Sequence, residues 1–165
     1  LKLGYKKKYK FIITMDCDGT HNPKYINSML NIAKSTDAEL ITTNRFLVKN
    51  ALKDWSTWRI LLTTLRHILI KFLLKIEFDS SGAFRLYKTN KVKISDILAA
   101  KNDSYSFFWE SIYLLSKKNK IKEIPINLPG RLSGSSKMNL KEIFKALKYL
   151  IIFFVQKRLN LFYSN

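Results

Sequence analysis

Apolar and polar positions follow two different periods along the chain, and the change of period marks the elements. Lys10 to Met15 is a short apolar run with polar borders, which predicts a strand. "NPKYINSMLNIAKS" repeats apolar residues at helical spacing, with Asn22 as N-cap and Pro23 at the first helical position. Glu39 to Thr43 predicts a second strand, and Trp55 to Ile76 a long helix with Arg59, Arg66, Lys71 and Lys75 interleaved among its apolar residues. "SGAFRLYKT" reads as a turn and a short strand, Tyr105 to Ser116 as an apolar helix, and Ile121 to Ile126 as a strand. A polar, glycine-bearing loop follows, then a long helix from about Leu140. The opening "LKLGYKKKYK" reads as the tail of a helix and a basic approach to the first strand, so an N-terminal truncation is expected. Strands alternating with helices predict an α/β class, with a mostly parallel sheet flanked by helices.

Charge narrows the class of partner. Thirty Lys+Arg against twelve Asp+Glu give a net charge of +18 over 165 residues. Such a field favours a polyanionic partner: nucleic acid, an anionic membrane or a phosphorylated substrate. The single cysteine, Cys17, excludes an internal disulfide and a multi-cysteine zinc site, and fits a cytosolic setting. Two segments are suited to a membrane surface: Trp55 to Ile76, and "ALKYLIIFFVQKRLNLFY" near the C-terminus. The uninterrupted apolar run in the latter, Tyr149 to Val155, is far below the roughly 20 residues of a membrane span. Lysines and arginines flank both segments, which favours helices lying in the interface plane, although an ordinary core-facing helix has the same pattern.

The sharpest chemical signal is "FIITMDCDGTHNP", an apolar run ending in Asp16 and Asp18 and then a turn. Two chemistries use such a string. A phosphatase of the haloacid-dehalogenase type would take up phosphate on the first aspartate, but needs a later acidic pair to complete a magnesium site, and no such pair follows an apolar strand here. The alternative is a hard divalent cation held by both carboxylates, which carries a nucleotide-sugar diphosphate and takes its remaining ligands from phosphate and water. Carboxylates at i and i+2 at a strand end point the same way, as that shared cation requires. A departing diphosphate also calls for guanidinium groups, and Arg45, Arg59, Arg85 and Arg131 fall near predicted element ends or loops.

In this order the motifs resemble the family 2 glycosyltransferases, and within them the dolichol-phosphate mannose synthase-like and polyprenyl-phosphate glycosyltransferase group. "MDCDGTHNPKYI" is similar to that family's D-x-D strand end with its turn and helix, and "NRF" to its serine-arginine-aromatic strand end. "DSSGAFRLY", "YSFFWE", the Ile-Pro-Ile strand and "RLSGSSK" follow in the family's order. The departures are Ser81, Gly82 and Ala83 before Phe84, where the family often has threonine-serine-glycine, and Thr20 in place of a glutamine or serine. The family's first strands, with the nucleobase-cradling segment, have no counterpart here.

The resemblance implies the nucleotide-diphospho-sugar transferase (GT-A) fold. Residues 1–139 would form about the last two-thirds of a catalytic domain, and 140–165 an amphipathic interfacial helix. It implies inverting transfer of a hexose from a nucleotide-sugar donor to a polyprenyl phosphate, on the cytoplasmic face of a membrane with an anionic surface, with room for a membrane-protein partner. Asp16 and Asp18 would hold Mg2+ or Mn2+. Arg131, Ser136 and Lys137 would close over the donor, with Arg45, Arg59 and Arg85 facing the phosphates. Glu110 could orient a sugar hydroxyl or form a structural salt bridge, and His21 could be a third ligand or shape the turn. Two alternatives remain. A transferase acting on a saccharide or protein hydroxyl would use Glu110 as base, whereas a basic nucleic-acid module would need an aromatic platform, and most aromatics here fall in helical stripes.

Overall fold

The computed structural model describes residues 1–102, 104–130 and 140–159. Four strands form one sheet in the order β1-β3-β2-β4: β1 Phe11–Thr14, β2 Leu40–Asn44, β3 Arg85–Lys88 and β4 Ile121–Pro125. β3 runs antiparallel to both neighbours, pairing Ile13 with Leu86 on one side and Ile41 with Leu86 on the other, while β4 runs parallel to β2. The expected mostly parallel sheet is thus a mixed one. The cause lies in the path between β2 and β3: the chain comes back beside the end of β2, where Arg45 binds Asp79, and enters β3 from that edge. β1, β2 and β4 share one direction, so the residues after these three strands and those before β3 crowd a single edge.

Strand alternation sorts the core into two layers. Ile41, Leu86 and Ile124 face α2 (Tyr25–Ser35), packing with its Met29 and Ala33. Leu40 and Tyr87 face the other way, toward α3 (Thr57–Leu74), α4 (Ile94–Leu98), α5 (Ser106–Ser116) and α6 (Leu140–Arg158). β2 is buried at all five positions, as a strand covered on both faces must be. A short N-terminal helix, α1 (Lys2–Lys6), precedes β1 and is tied down by the Tyr5 hydroxyl donating to the Val92 carbonyl.

Local chemistry sets the helix limits. The Asn22 side chain accepts from the Lys24 N–H, so residues 22–24 form a turn that feeds α2, and regular helix begins two residues after Pro23. Ser56 caps α3, and Lys75 ends it in a left-handed conformation with φ of 54°. α3 turns Ile70 and Leu74 inward but leaves Trp58, Leu61, Leu65, Ile68 and Phe72 exposed, a stripe spaced three and four residues apart. Phe72 is 78% exposed. α6 shows Phe144, Leu147, Ile151 and Val155 outward and buries Leu150 and Phe153 against Trp109 and Tyr113. Each large apolar side chain left in water forgoes about 1.5–3 kcal/mol of burial, so two such stripes mark a surface made to be covered.

Candidate functional site

The loop leaving β1 carries the two aspartates beyond the end of the strand, in a bend that closes on itself. Asp18 Oδ1 accepts from the Thr20 N–H at 3.1 Å and from the Thr20 hydroxyl at 2.6 Å, with Gly19 at φ 80° supplying the left-handed step. His21 is buried, and its Nδ1 accepts the Asp16 N–H at 2.8 Å. That acceptor role requires a neutral imidazole with its proton on Nε2. Burial pushes the His21 pKa down, as does Arg45, while Asp16 and Asp18 oppose the shift. The 3.9 Å separation of Nδ1 from the Asp16 carboxylate is accordingly no ion pair. His21 shapes the turn, with Phe84 packed on its ring at 5.1 Å, and its Nδ1 is taken. Asp16 keeps a side chain 53% exposed at the mouth of a cleft.

That cleft, about 790 Å³, lies between the β1 loop and the segment after β2, and is lined by Asp16, Tyr25, Lys49, Lys53, Asp54 and Asn127. Its far wall is firmly built. Asn50 adopts φ 59°, a conformation asparagine tolerates, between the turns Ala51 N–H to Val48 O and Lys53 N–H to Asn50 O. The chain after β4 is stitched alongside: Ile126 N–H donates to Asn44 O, Leu128 N–H to Ala51 O, and Asn127 N–H to the Tyr25 hydroxyl. Gly130 rests against Asp54, where an added Cβ would come within 3.6 Å of the Asp54 Cβ. Arg131, Ser136 and Lys137 lie outside the described residues; the segment leading to them ends at this rim.

Among the described residues no three His, Cys, Asp or Glu side chains gather as a metal cage. Of the two aspartates, Asp16 lines the cleft while Asp18 Oδ1 is taken up by Thr20, so an ion held here would draw most of its oxygen ligands from substrate and water.

Across the same edge lies a buried, cation-rich network. Arg45 Nε donates to Asp79 Oδ2 at 2.7 Å, and the Arg45 N–H approaches the same oxygen at 3.4 Å. Asp79 Oδ1 accepts from the Ser81 N–H and hydroxyl. Glu123, projecting from β4, accepts the Asp79 N–H at 2.7 Å and the Asn44 side-chain amide at 2.9 Å. Burial drives the Asp79 carboxyl upward, but Arg45 and the Ser81 donors outweigh it and hold the pKa below the usual range. Glu123 goes the other way, raised chiefly by burial and further by the Asp79 charge, against its two hydrogen bonds. Two arginines approach the Trp55 ring, Arg59 at 3.4 Å from its centroid and Arg45 at 5.9 Å.

Two of the expected site residues turn inward instead. Arg85 is fully buried, donating to the Ser111 hydroxyl at 2.9 Å and to the Ser80 and Phe108 carbonyls at 3.2 and 2.7 Å. Strand alternation puts it on the α5 side, so it braces the turn carrying Asp79 rather than meeting a phosphate. Glu110 is also fully buried, accepting from the Lys101 and Asn102 N–H groups and the Tyr149 hydroxyl. It joins α6 to the loop before α5, with hydrogen bonds where a structural salt bridge was one expectation. Asp79, Glu123 and Arg66 were not among the expected site residues. A signal existed for each: Asp79 opens the turn before Phe84, Glu123 interrupts an apolar strand, and Arg66 falls seven residues after Arg59 on one helix face.

No protein-family model matches the chain. Polyprenol monophosphomannose synthase of Mycolicibacterium smegmatis is 26% identical over 149 residues, which cover 87% of this chain and 55% of the relative. Undecaprenyl-phosphate mannosyltransferase of Micrococcus luteus is 24% identical over 138 residues, covering 82% of this chain and 56% of the relative. The chain therefore spans about half the length of the curated relatives it matches. By their names both relatives are polyprenyl-phosphate glycosyltransferases, the group that the order of motifs resembles.

Proposed function

We propose that the chain is part of a glycosyltransferase of the GT-A fold that moves a hexose, mannose by likeness to its relatives, from a nucleotide-sugar to a polyprenyl phosphate. The observation that carries this reading is the meeting on one sheet edge of an acidic loop at an open cleft and a buried arginine network. Asp16 and Asp18 would hold Mg2+ or Mn2+, and such an ion, when bound, stabilises the charge of a departing diphosphate. Arg45 is held in place by Asp79, with one terminal nitrogen lying along Gly82, where an added Cβ would come within 3.7 Å of it. Preplaced guanidinium groups lower the repulsion between two phosphates brought together for in-line displacement, which would invert the anomeric centre. From the resemblance, Arg131, Ser136 and Lys137 complete the donor side.

A phosphate acceptor is already anionic at pH 7 and needs no base. A hydroxyl acceptor would need one, and Glu110 has all its oxygens engaged inside the core. This favours phosphate over hydroxyl. Among the described residues no helix is long and apolar enough to cross a membrane. The outward stripes of α3 and α6, fringed by Lys71, Lys75, Lys148, Lys157 and Arg158, suit binding in the plane of an anionic cytoplasmic leaflet, where the lipid acceptor offers its head group.

The test uses the full-length protein with a panel of labelled nucleotide-sugars and polyprenyl phosphate in anionic liposomes. Label should enter the lipid only with magnesium or manganese present. Transfer that persists after chelation would end the metal assignment, and transfer to soluble saccharides in place of the lipid would end the acceptor assignment.

A further inference from the structure

Arg66 lies on the inward face of α3, two helical turns beyond Arg59, and is followed by His67, whose ring stacks on Phe46 at 4.0 Å. That stack pins this turn of α3 over residues 45–47. Arg66 forms no hydrogen bond or ion pair among the described residues, and Asp79, the carboxylate whose charge acts on it, already binds Arg45 through Oδ2 and Ser81 through Oδ1. Burial, and then repulsion from Arg45, push the Arg66 pKa down to about 10, with Asp79 pulling weakly the other way. Arg66 thus feels both Arg45 and Asp79, while the Asp79 oxygens are already occupied by Arg45 and Ser81. Such an arrangement is costly in the unliganded protein, because a half-buried charge beside a like charge lacks compensation. A bound dianion would compensate it.

We propose that Arg66 is a phosphate-binding residue that acts with Arg45 as a guanidinium pair, taking one phosphate group from a substrate. The inference deepens the transferase reading and rests on it for the identity of the substrate. The shared chemistry is a phosphate oxygen cluster, which either the nucleotide diphosphate or the prenyl phosphomonoester could supply. Arg59, stacked on Trp55, stands two turns away on the same face of α3, so Arg66 is not an isolated cation there.

The full-length protein, with Arg66→Gln and Arg66→Lys variants, provides the test. Its first measurement is the thermal midpoint with inorganic phosphate against sodium chloride at equal ionic strength. Wild type should gain a phosphate-specific rise that Arg66→Gln loses and Arg66→Lys partly keeps. Without phosphate, Arg66→Gln should unfold no earlier than wild type, since it removes an uncompensated cation; a purely structural arginine would give the opposite. The second measurement varies donor and a water-soluble short-chain prenyl phosphate separately. Arg66→Gln should raise the KM of one by about tenfold, the scale of a lost charge-assisted contact, and leave the other nearly unchanged. The substrate affected identifies the source of the phosphate. An equal phosphate-dependent rise in wild type and Arg66→Gln would overturn the proposal, as would two unchanged KM values. If the phosphate effect depends on Arg66 but wild type transfers nothing to prenyl phosphate, the guanidinium pair stands and the acceptor assignment falls.

Discussion

The loop after β1 and the network after β2 belong to the same edge, yet they treat charge in opposite ways. Asp16 is exposed, without a cationic side chain bonded to it among the described residues. Arg45 is buried and fixed by a partner of opposite sign before any ligand comes. The proposed function would account for the contrast: a hydrated divalent cation can be recruited late by an open carboxylate, whereas a guanidinium meeting phosphate in a low-dielectric setting has to be oriented in advance.

The strongest way to break this contrast is to remove the internal partner. Asp79→Ala leaves Arg45 buried and unpaired and should cost about 3–5 kcal/mol of stability in denaturant unfolding. A loss below about 1 kcal/mol would mean that the pair is screened as an exposed one is. Asp16→Ala should leave stability within about 0.5 kcal/mol, as expected for an exposed site, yet lower turnover by about 10²–10³-fold. Unchanged turnover at saturating magnesium would remove Asp16 from the site.

A smaller effect separates the outward face from the edge. Leu65→Ser with Phe72→Ser should abolish most of the salt-resistant binding to anionic liposomes, each side chain contributing up to about 1.5–3 kcal/mol, without changing the fold. Cosedimentation at low and high salt reads the two components, and binding that salt removes entirely in wild type would deny the apolar stripe a role. Phe153 is unsuitable for this purpose: it is only 3% exposed and belongs to the core, so its replacement would report on folding.

The smallest effect is a pH dependence. Glu123 has a raised folded pKa, so the folded state holds its proton longer than the unfolded chain does. Stability should therefore decline as pH rises from about 4.3, the unfolded value, toward the folded value. Asp79, with its lowered pKa, acts in the opposite sense: its contribution is present above about 3.9 and is lost as pH falls through the folded value. Glu123→Gln should flatten the decline on the alkaline side of this window in thermal melts, and an unaltered slope would place its cause elsewhere.

Hydrophobic periodicity located the four strands and the long helices to within a few residues, because each buries a continuous apolar face. It did not carry strand direction, since a strand alternates identically whichever way it runs; hence the reversed β3. Arg85 was visible as an arginine near a turn, and alternation sets its face, but that α5 covers this face is known only from the fold. In α6 the run from Tyr149 to Val155 is apolar on every side, so the sequence offered no basis for choosing Phe153 as inward and Ile152 as outward. α4, five residues long, is too short to declare a period. The candidate cation loop was legible because its two acids follow an apolar strand. The acids behind Arg45 were not, for they are far apart in sequence and met only through the sheet.

α3 shows apolar side chains on one side and arginines on the other, and it is a rigid rod of nearly constant thickness. If its stripe rests at the lipid boundary, the guanidinium groups stand off from that plane by no more than about 10–12 Å, the width of a helix with its side chains. The helix then works as a depth gauge: a phosphate has to rise by a fixed interval from its neighbours to reach Arg59 or Arg66. Lipids whose phosphate is tethered on both sides could not make that climb, whereas a monoester with a single flexible tail could, so selection among membrane phosphates would be a matter of reach before any contact with the sugar.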